Sequence, residues 1–180
     1  MLISNTELIY PAASLICASV GAVYDVRSRK IPNFITVPSL LFGMILHLTV
    51  GGWRQLASAI AAAVVCGLVF LIFYLSGGMG AGDVKLIAAV GCIAGLSLVG
   101  TLLLWTSIVG GVMAIALALY QKKLTETMRN MLTLVNHHKG AGLIPHPEFN
   151  VRNPRSLRLP YAVAIAAGSA LSLCFMIGQR

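Results

Sequence analysis

Charge is what this chain has least of. Of its 180 residues, 10% are charged, and only five are acidic: Glu7, Asp25, Asp83, Glu126 and Glu148. An ordinary soluble domain carries roughly 25% charged residues. The shortfall excludes a soluble globular enzyme, a disordered chain and a nucleic-acid-binding domain with a solvated surface. No CxxC pair is present, and the four cysteines (Cys17, Cys66, Cys92 and Cys174) all lie in apolar stretches. Their spacing gives neither a disulfide framework nor a zinc site. Each reads as a small apolar packing residue. There is no HExxH for a zinc protease. No Ser or Cys stands in a recognisable nucleophile motif, although a dispersed Ser–Lys dyad leaves no such mark.

What the chain has in excess is apolar sequence: 58% of residues are hydrophobic and the mean hydropathy is +0.88. A membrane span needs about 20 apolar residues, so six spans take about 120 and leave about 60 for loops. Six apolar stretches run near 8–24, 34–50, 56–75, 83–99, 101–120 and 160–178. The first basic residue, Arg27, follows the first stretch rather than preceding it. A secretory signal has the opposite order, so this stretch is expected to remain as a helix. The fold class expected is all-α: a polytopic membrane protein of six transmembrane helices, forming a single domain over 1–180. The weakest boundary is between the fourth and fifth stretches, around Ser97 to Thr101, where a tight turn helped by Gly95 and Gly100 is expected.

The basic residues orient the spans. Arg27, Arg29 and Lys30 follow the first stretch, and Lys85 lies in the connection from the third to the fourth. Lys122, Lys123, Arg129, Lys139, Arg152, Arg155 and Arg158 follow the fifth. The opposite side has only Arg54 and Arg180. The positive-inside rule puts the eleven in the cytoplasm and both termini outside. The net charge of +8 thus reports topology and contact with anionic lipid, not nucleic acid.

Within the long loop, Leu124, Met128, Met131, Leu132 and Val135 recur at steps of three and four. They share one face of a predicted helix over 121–138 that lies on the inner leaflet. Pro145, Pro147, Pro154 and Pro160 exclude a regular helix over 140–160. His137, His138 and His146 lack carboxylates or thiolates at metal-ligand spacing, so no metal or cofactor is expected. His47, late in the second stretch, reads as a packed or interfacial histidine.

The two aspartates stand apart. Asp25 ends the first stretch and Asp83 begins the fourth. The predicted topology puts both at the cytoplasmic face, at similar depth. Ionisable groups at membrane depth are costly and mark function by default. Two carboxylates a few ångströms apart repel, so one proton is shared between them. The ionised member can take a proton from water while the protonated member polarises a peptide carbonyl. That hydrolyses an amide with no metal and no covalent intermediate. Gly77-Gly78-Met79-Gly80-Ala81-Gly82 directly precedes Asp83 and gives the backbone access that a docking peptide needs. Arg27 and Lys85 each follow an aspartate by two residues. They are candidates to tune a carboxylate or hold substrate, against the plainer reading that they snorkel toward headgroups. Two residues apart on a helix is not one face. Pro32 suits the first turn of the second helix.

Gly80-Ala81-Gly82-Asp83 matches the GxGD motif of membrane aspartic proteases. Asp25-Val26-Arg27, followed by Ile31-Pro32-Asn33, resembles the first-aspartate motif of type IV prepilin peptidases, and Asp83-Val84-Lys85 extends the second in the same way. The stretch from Arg158 through Pro160-Tyr161-Ala162 to Gly168 resembles that family's last-helix motif. The compact length is similar to that of the subfamily serving Flp (tight-adherence) pili. The resemblance implies a bacterial inner-membrane endopeptidase that removes the short leader of a prepilin or pseudopilin at the cytoplasmic face. Asp25 and Asp83 would be its catalytic pair, with Gly80, Gly82, Arg27 and Lys85 in support. Larger members of the family add a cytoplasmic segment with paired CxxC motifs and methylate the new pilin N-terminus; cleavage without methylation is expected here. Two rivals remain. One is another GxGD protease, of the presenilin or signal-peptide-peptidase kind, cutting inside a helix. The other is a small proton- or cation-coupled transporter, for which midplane carboxylates and broken helices in both halves would be expected.

Overall fold

The computed structural model describes residues 8–121 and 159–178, with Arg129 and Thr133 between them. Every regular element among them is helical. Backbone in a hydrocarbon environment must satisfy its own hydrogen bonds, and long apolar runs do so locally as helices. The elements are α1 (Ile9–Ser28), α2 (Asn33–Leu75), α3 (Ala81–Ala94), α4 (Leu96–Tyr120) and α5 (Tyr161–Gly178). Four of them, α1, α2, α4 and α5, are long and apolar enough to cross a membrane. Large apolar side chains such as Ile16, Leu104, Val112 and Ile115 project outward from α1 and α4.

Two of the expected boundaries move. The second and third stretches form one 43-residue element, broken only at Gly52, whose φ of 67° and ψ of −160° are not helical. The fourth and fifth stretches part at Gly95, one of the two glycines expected to help the turn, just before the expected Ser97 to Thr101. Gly95 takes φ 82°, ψ 163°, which a residue with a Cβ resists, whereas Gly100 lies inside α4. Pro32 stands one position earlier than expected: it is the N-cap of α2, with extended backbone, and Asn33 is the first helical residue. Of the predicted loop helix over 121–138, Arg129 and Thr133 are described, and both are helical. The rest of that helix, with His137, His138, His146 and the proline-rich stretch up to Arg158, lies outside the described residues.

The short α3 is the centre of the packing. Its Leu86, Ile87, Ala89, Val90 and Cys92 are fully buried. Leu86, Ile87 and Val90 join Ala18 of α1, Cys66 and Phe70 of α2, Leu102 of α4 and Ile165 of α5 in the core, and Cys92 packs with Ala59 and Ala63 of α2. The most extensive contact of α3 is with α2; α1 bridges α3 and α5, and α4 lies along α5. Cys17, Cys66 and Cys92 are buried free thiols, as their apolar surroundings suggested, while Cys174 is exposed.

Candidate active site

Both aspartates sit where a helix meets a connection. Asp25 lies in the last turn of α1. The helix ends at Arg29, the one described non-glycine residue with positive φ (51°), whose N–H donates to the Asp25 carbonyl at 2.8 Å. This left-handed residue turns the chain back, so that Ile31 is buried against Gly82 at the start of α3. A Cβ on Gly82 would lie 3.1 Å from the Ile31 Cβ. The bare glycine is what lets the α1–α2 connection approach the aspartate of α3 so closely. Four residues before Asp25, Gly21 seats the Leu86 side chain, which follows Asp83 by three. The two contacts together bring the end of α1 level with the start of α3.

Asp83 is the third residue of α3. The first N–H groups of any helix lack intrahelical acceptors. Here Gly80 is extended, its N–H donates to Asp83 Oδ2 at 3.1 Å, and the Asp83 N–H donates to the Gly80 carbonyl at 3.2 Å. The carboxylate therefore stands at the positive end of its own helix, where negative charge is favoured. Its exposure is only 8%, and a carboxylate so enclosed is costly unless something holds it.

Asp25 is half-buried, and its carboxylate faces the backbone N–H of Ala162 in the first turn of α5, another group with no acceptor of its own. The Arg29 charge lies within electrostatic reach of Asp25. Asp25 and Tyr161, the first residue of α5, both lie within electrostatic reach of Asp83. Three helix ends, the carboxy terminus of α1 and the amino termini of α3 and α5, converge on two carboxylates. Met113, Ala116, Leu117 and Tyr120 of α4, with Leu159 and Pro160 just ahead of α5, line an apolar groove of about 410 Å³.

The supporting residues divide. Gly80 and Gly82 are at the site, one donating to Asp83 and the other admitting Ile31. Lys85 turns away from the carboxylates: its Nζ donates to Asn33 Oδ1 at 3.0 Å and ties α3 to the start of α2. Arg27 is exposed on α1. The cation whose field acts on Asp25 is Arg29, which spacing alone did not single out, because nothing in a non-glycine residue announces a left-handed backbone. Tyr161 and Ala162 were legible only as part of the last-helix motif, not as neighbours of the aspartates.

A model of the type IV leader peptidase family matches residues 12–115, which include both aspartates. Three curated proteins described as prepilin leader peptidase/N-methyltransferase are also similar. That of Neisseria gonorrhoeae is 35% identical over 101 residues, covering 52% of this chain and 35% of its own length. That of Aeromonas hydrophila is 37% identical over 102 residues, covering 53% and 35%. That of Aeromonas salmonicida strain A449 is 36% identical over 102 residues, again 53% and 35%. The chain thus spans about a third of the length of the curated relatives it matches. No solved structure matches it.

Proposed function

The chain belongs to the type IV leader peptidase family, and on that premise we propose that it is a membrane aspartic endopeptidase that removes the leader of type IV prepilins, of the Flp type, at the cytoplasmic face. The observation that carries the reading is the convergence of Asp25 and Asp83, the only two aspartates of the chain, from separate helices onto one end of the bundle. In this reading α2 crosses the membrane twice, turning at Gly52, and α3 is a short span. Six crossings then put both termini outside and eleven of the thirteen basic residues in the cytoplasm.

The chemistry needs two carboxylates with one proton between them. A prepilin lies with its apolar helix in the membrane and its leader at the surface. The junction is extended there, since a helical backbone keeps its carbonyls in hydrogen bonds. The ionised carboxylate takes a proton from water, and the water oxygen attacks the scissile carbonyl carbon. The protonated carboxylate donates a hydrogen bond to the carbonyl oxygen as charge develops on it. Collapse of the tetrahedral intermediate breaks the C–N bond, and a proton passes to the leaving amine. Asp83 is oriented by a backbone group, the Gly80 N–H, rather than by a mobile side chain, and the Ala162 N–H lies near Asp25. Such preorganisation lowers the barrier because little must move as charge shifts.

The test is cleavage of a co-expressed Flp-type prepilin, followed by gel shift and mass spectrometry. Asp25→Asn and Asp83→Asn are run beside the native chain at matched membrane levels. Cleavage between leader and apolar helix by the native chain alone supports the proposal. Cleavage that survives either substitution overturns the two-aspartate mechanism. A cut deep inside the apolar helix would favour an intramembrane protease of a different kind.

A further inference from the structure

The end of the bundle opposite the aspartates contains an arrangement that the proposed chemistry does not use. Where α3 ends, Gly95 breaks the helix, and the carbonyl of Ile93 loses the acceptor role it would have in a continuing helix. His47 of α2 reaches it: Nε2 lies 3.1 Å from the Ile93 oxygen. A carbonyl only accepts, so Nε2 carries the hydrogen and donates. The imidazole is 2% exposed and lies flat on Tyr10 of α1, with ring centroids 4.3 Å apart and planes at 8°. Its Nδ1 is buried with no hydrogen-bond partner. A Cβ on Gly95 would lie 2.9 Å from the His47 Cε1, so the glycine that breaks the helix also makes room for the ring. On the far side of the break, the Leu96 N–H donates to Ser58 Oγ at 3.2 Å. His47 and Ser58 flank Gly52, the break in α2. Two side chains around one helix break thus satisfy two backbone groups around the other.

We propose that His47 is a positioning residue for the peptidase reaction: by holding the carboxy terminus of α3, it sets the rotation and depth at which α3 presents Asp83 at its amino terminus. The inference rests on the proteolytic reading above. Asp83 and Ile93 are ten residues apart on one regular helix, about 15 Å by helical rise. A slip of one residue at the clamped end would turn Asp83 by about 100° and shift it by about 1.5 Å. A misplacement of about 1 Å at a reacting group can cost about 10²-fold in rate. The Gly80 N–H bond is local to α3, and the Ile31–Gly82 contact and the Lys85–Asn33 bond tie only its first turns to the α1–α2 connection and to α2. Among the described residues, His47 supplies a side-chain hydrogen bond from another helix to the α3 backbone, together with a ring stack onto a third helix.

The test uses two variants of the full chain. His47→Phe keeps the ring on Tyr10 and removes the donor; His47→Gln keeps an N–H donor near the Nε2 position. Cleavage kinetics on the prepilin are read together with amide hydrogen exchange of the purified protein in detergent. The expected result for His47→Phe is a fall in kcat of about tenfold with KM unchanged. Faster exchange is expected not only at Gly95 and Leu96 but along α3 as far as Asp83. His47→Gln should restore kcat to within about threefold of the native chain and return α3 exchange to the native pattern. Native kcat in His47→Phe, or a His47→Gln variant as slow as His47→Phe, overturns the inference. So does a change in exchange confined to the break. The exchange measurement needs no catalysis. If cleavage survives the aspartate substitutions, the proteolytic reading fails while the clamp is still read by exchange, and the two failures are distinguishable.

Discussion

At the end of the bundle that holds Asp25 and Asp83, carboxylates meet the loose N–H groups of helix termini. At the end that holds Gly52 and Gly95, neutral side chains, His47 and Ser58, meet the loose groups. Both ends face the same requirement, that a helix terminus in an apolar setting must find partners for its backbone. A neutral imidazole or hydroxyl does this at little electrostatic cost. A carboxylate costs far more to enclose, and Leu8 and Pro32 at the N-caps of α1 and α2 show that helices here also start without a side-chain cap bond. Charge at Asp83 is thus more than capping requires. On the function proposed above, the difference separates an end suited to chemistry from an end suited to fixing geometry.

The sharpest way to break that comparison is to remove charge and keep shape. Asparagine at position 83 still offers an oxygen to the Gly80 N–H, so Asp83→Asn is expected to fold as the native chain does. Proton transfer by a positioned side chain contributes about 10²–10⁴-fold. Asp83→Asn and Asp25→Asn should each lower prepilin cleavage by at least about 10²-fold, read by mass spectrometry of the leader, with thermal unfolding in detergent unchanged within a few degrees. A loss of folding equal to the loss of activity would make the aspartates caps and no more, like Ser58 at the other end.

Next in size is crowding at the aspartate end. Gly82→Val would press a branched side chain on Ile31, where a Cβ alone lies 3.1 Å from its neighbour. Overpacking of this kind costs about 1–3 kcal/mol. The variant should unfold at lower temperature and cleave more slowly. Ile31→Ala in the same chain should recover part of both, and the double-mutant cycle measures the coupling. Additive effects would mean that the two residues do not share a contact.

How much of this was legible in the sequence differs between the ends. The aspartates, the glycines before Asp83 and the apolar stretches were all visible, because residue type and hydropathy are local. The role of Arg29 was not, since its left-handed backbone follows from how α1 joins α2. Nor was the partner of Lys85: a hydrogen bond to a residue 52 positions away is set by packing. The turn expected around Ser97 to Thr101, helped by Gly95 and Gly100, falls at Gly95 for a related reason. Two glycines stood near the boundary, and only tertiary structure decides which one takes positive φ. His47 read correctly as a packed histidine, but its acceptor exists only because the helix breaks at Gly95.

That boundary gives a paired prediction. Gly95→Ala forces a Cβ into a left-handed backbone beside the His47 ring, at a cost of about 1–2 kcal/mol. Gly100→Ala replaces a helical glycine that has open space around it and should gain about 0.5–1 kcal/mol. Thermal unfolding in detergent should therefore move in opposite directions for the two variants. Equal responses would restore a boundary around Ser97 to Thr101.

The smallest effect expected is at Lys85. Its bond to Asn33 is exposed, and exposed polar tethers of this kind contribute about 0–1 kcal/mol. Lys85→Met should keep cleavage within about threefold of native, and Asn33→Ala should reproduce that loss without adding to it in the double variant. A drop of about 10²-fold for Lys85→Met alone, with Asn33→Ala silent, would mean that the lysine serves the carboxylates or the substrate directly. The aspartate end would then hold a third charged participant, and the contrast with the neutral end would widen instead of narrowing to two residues.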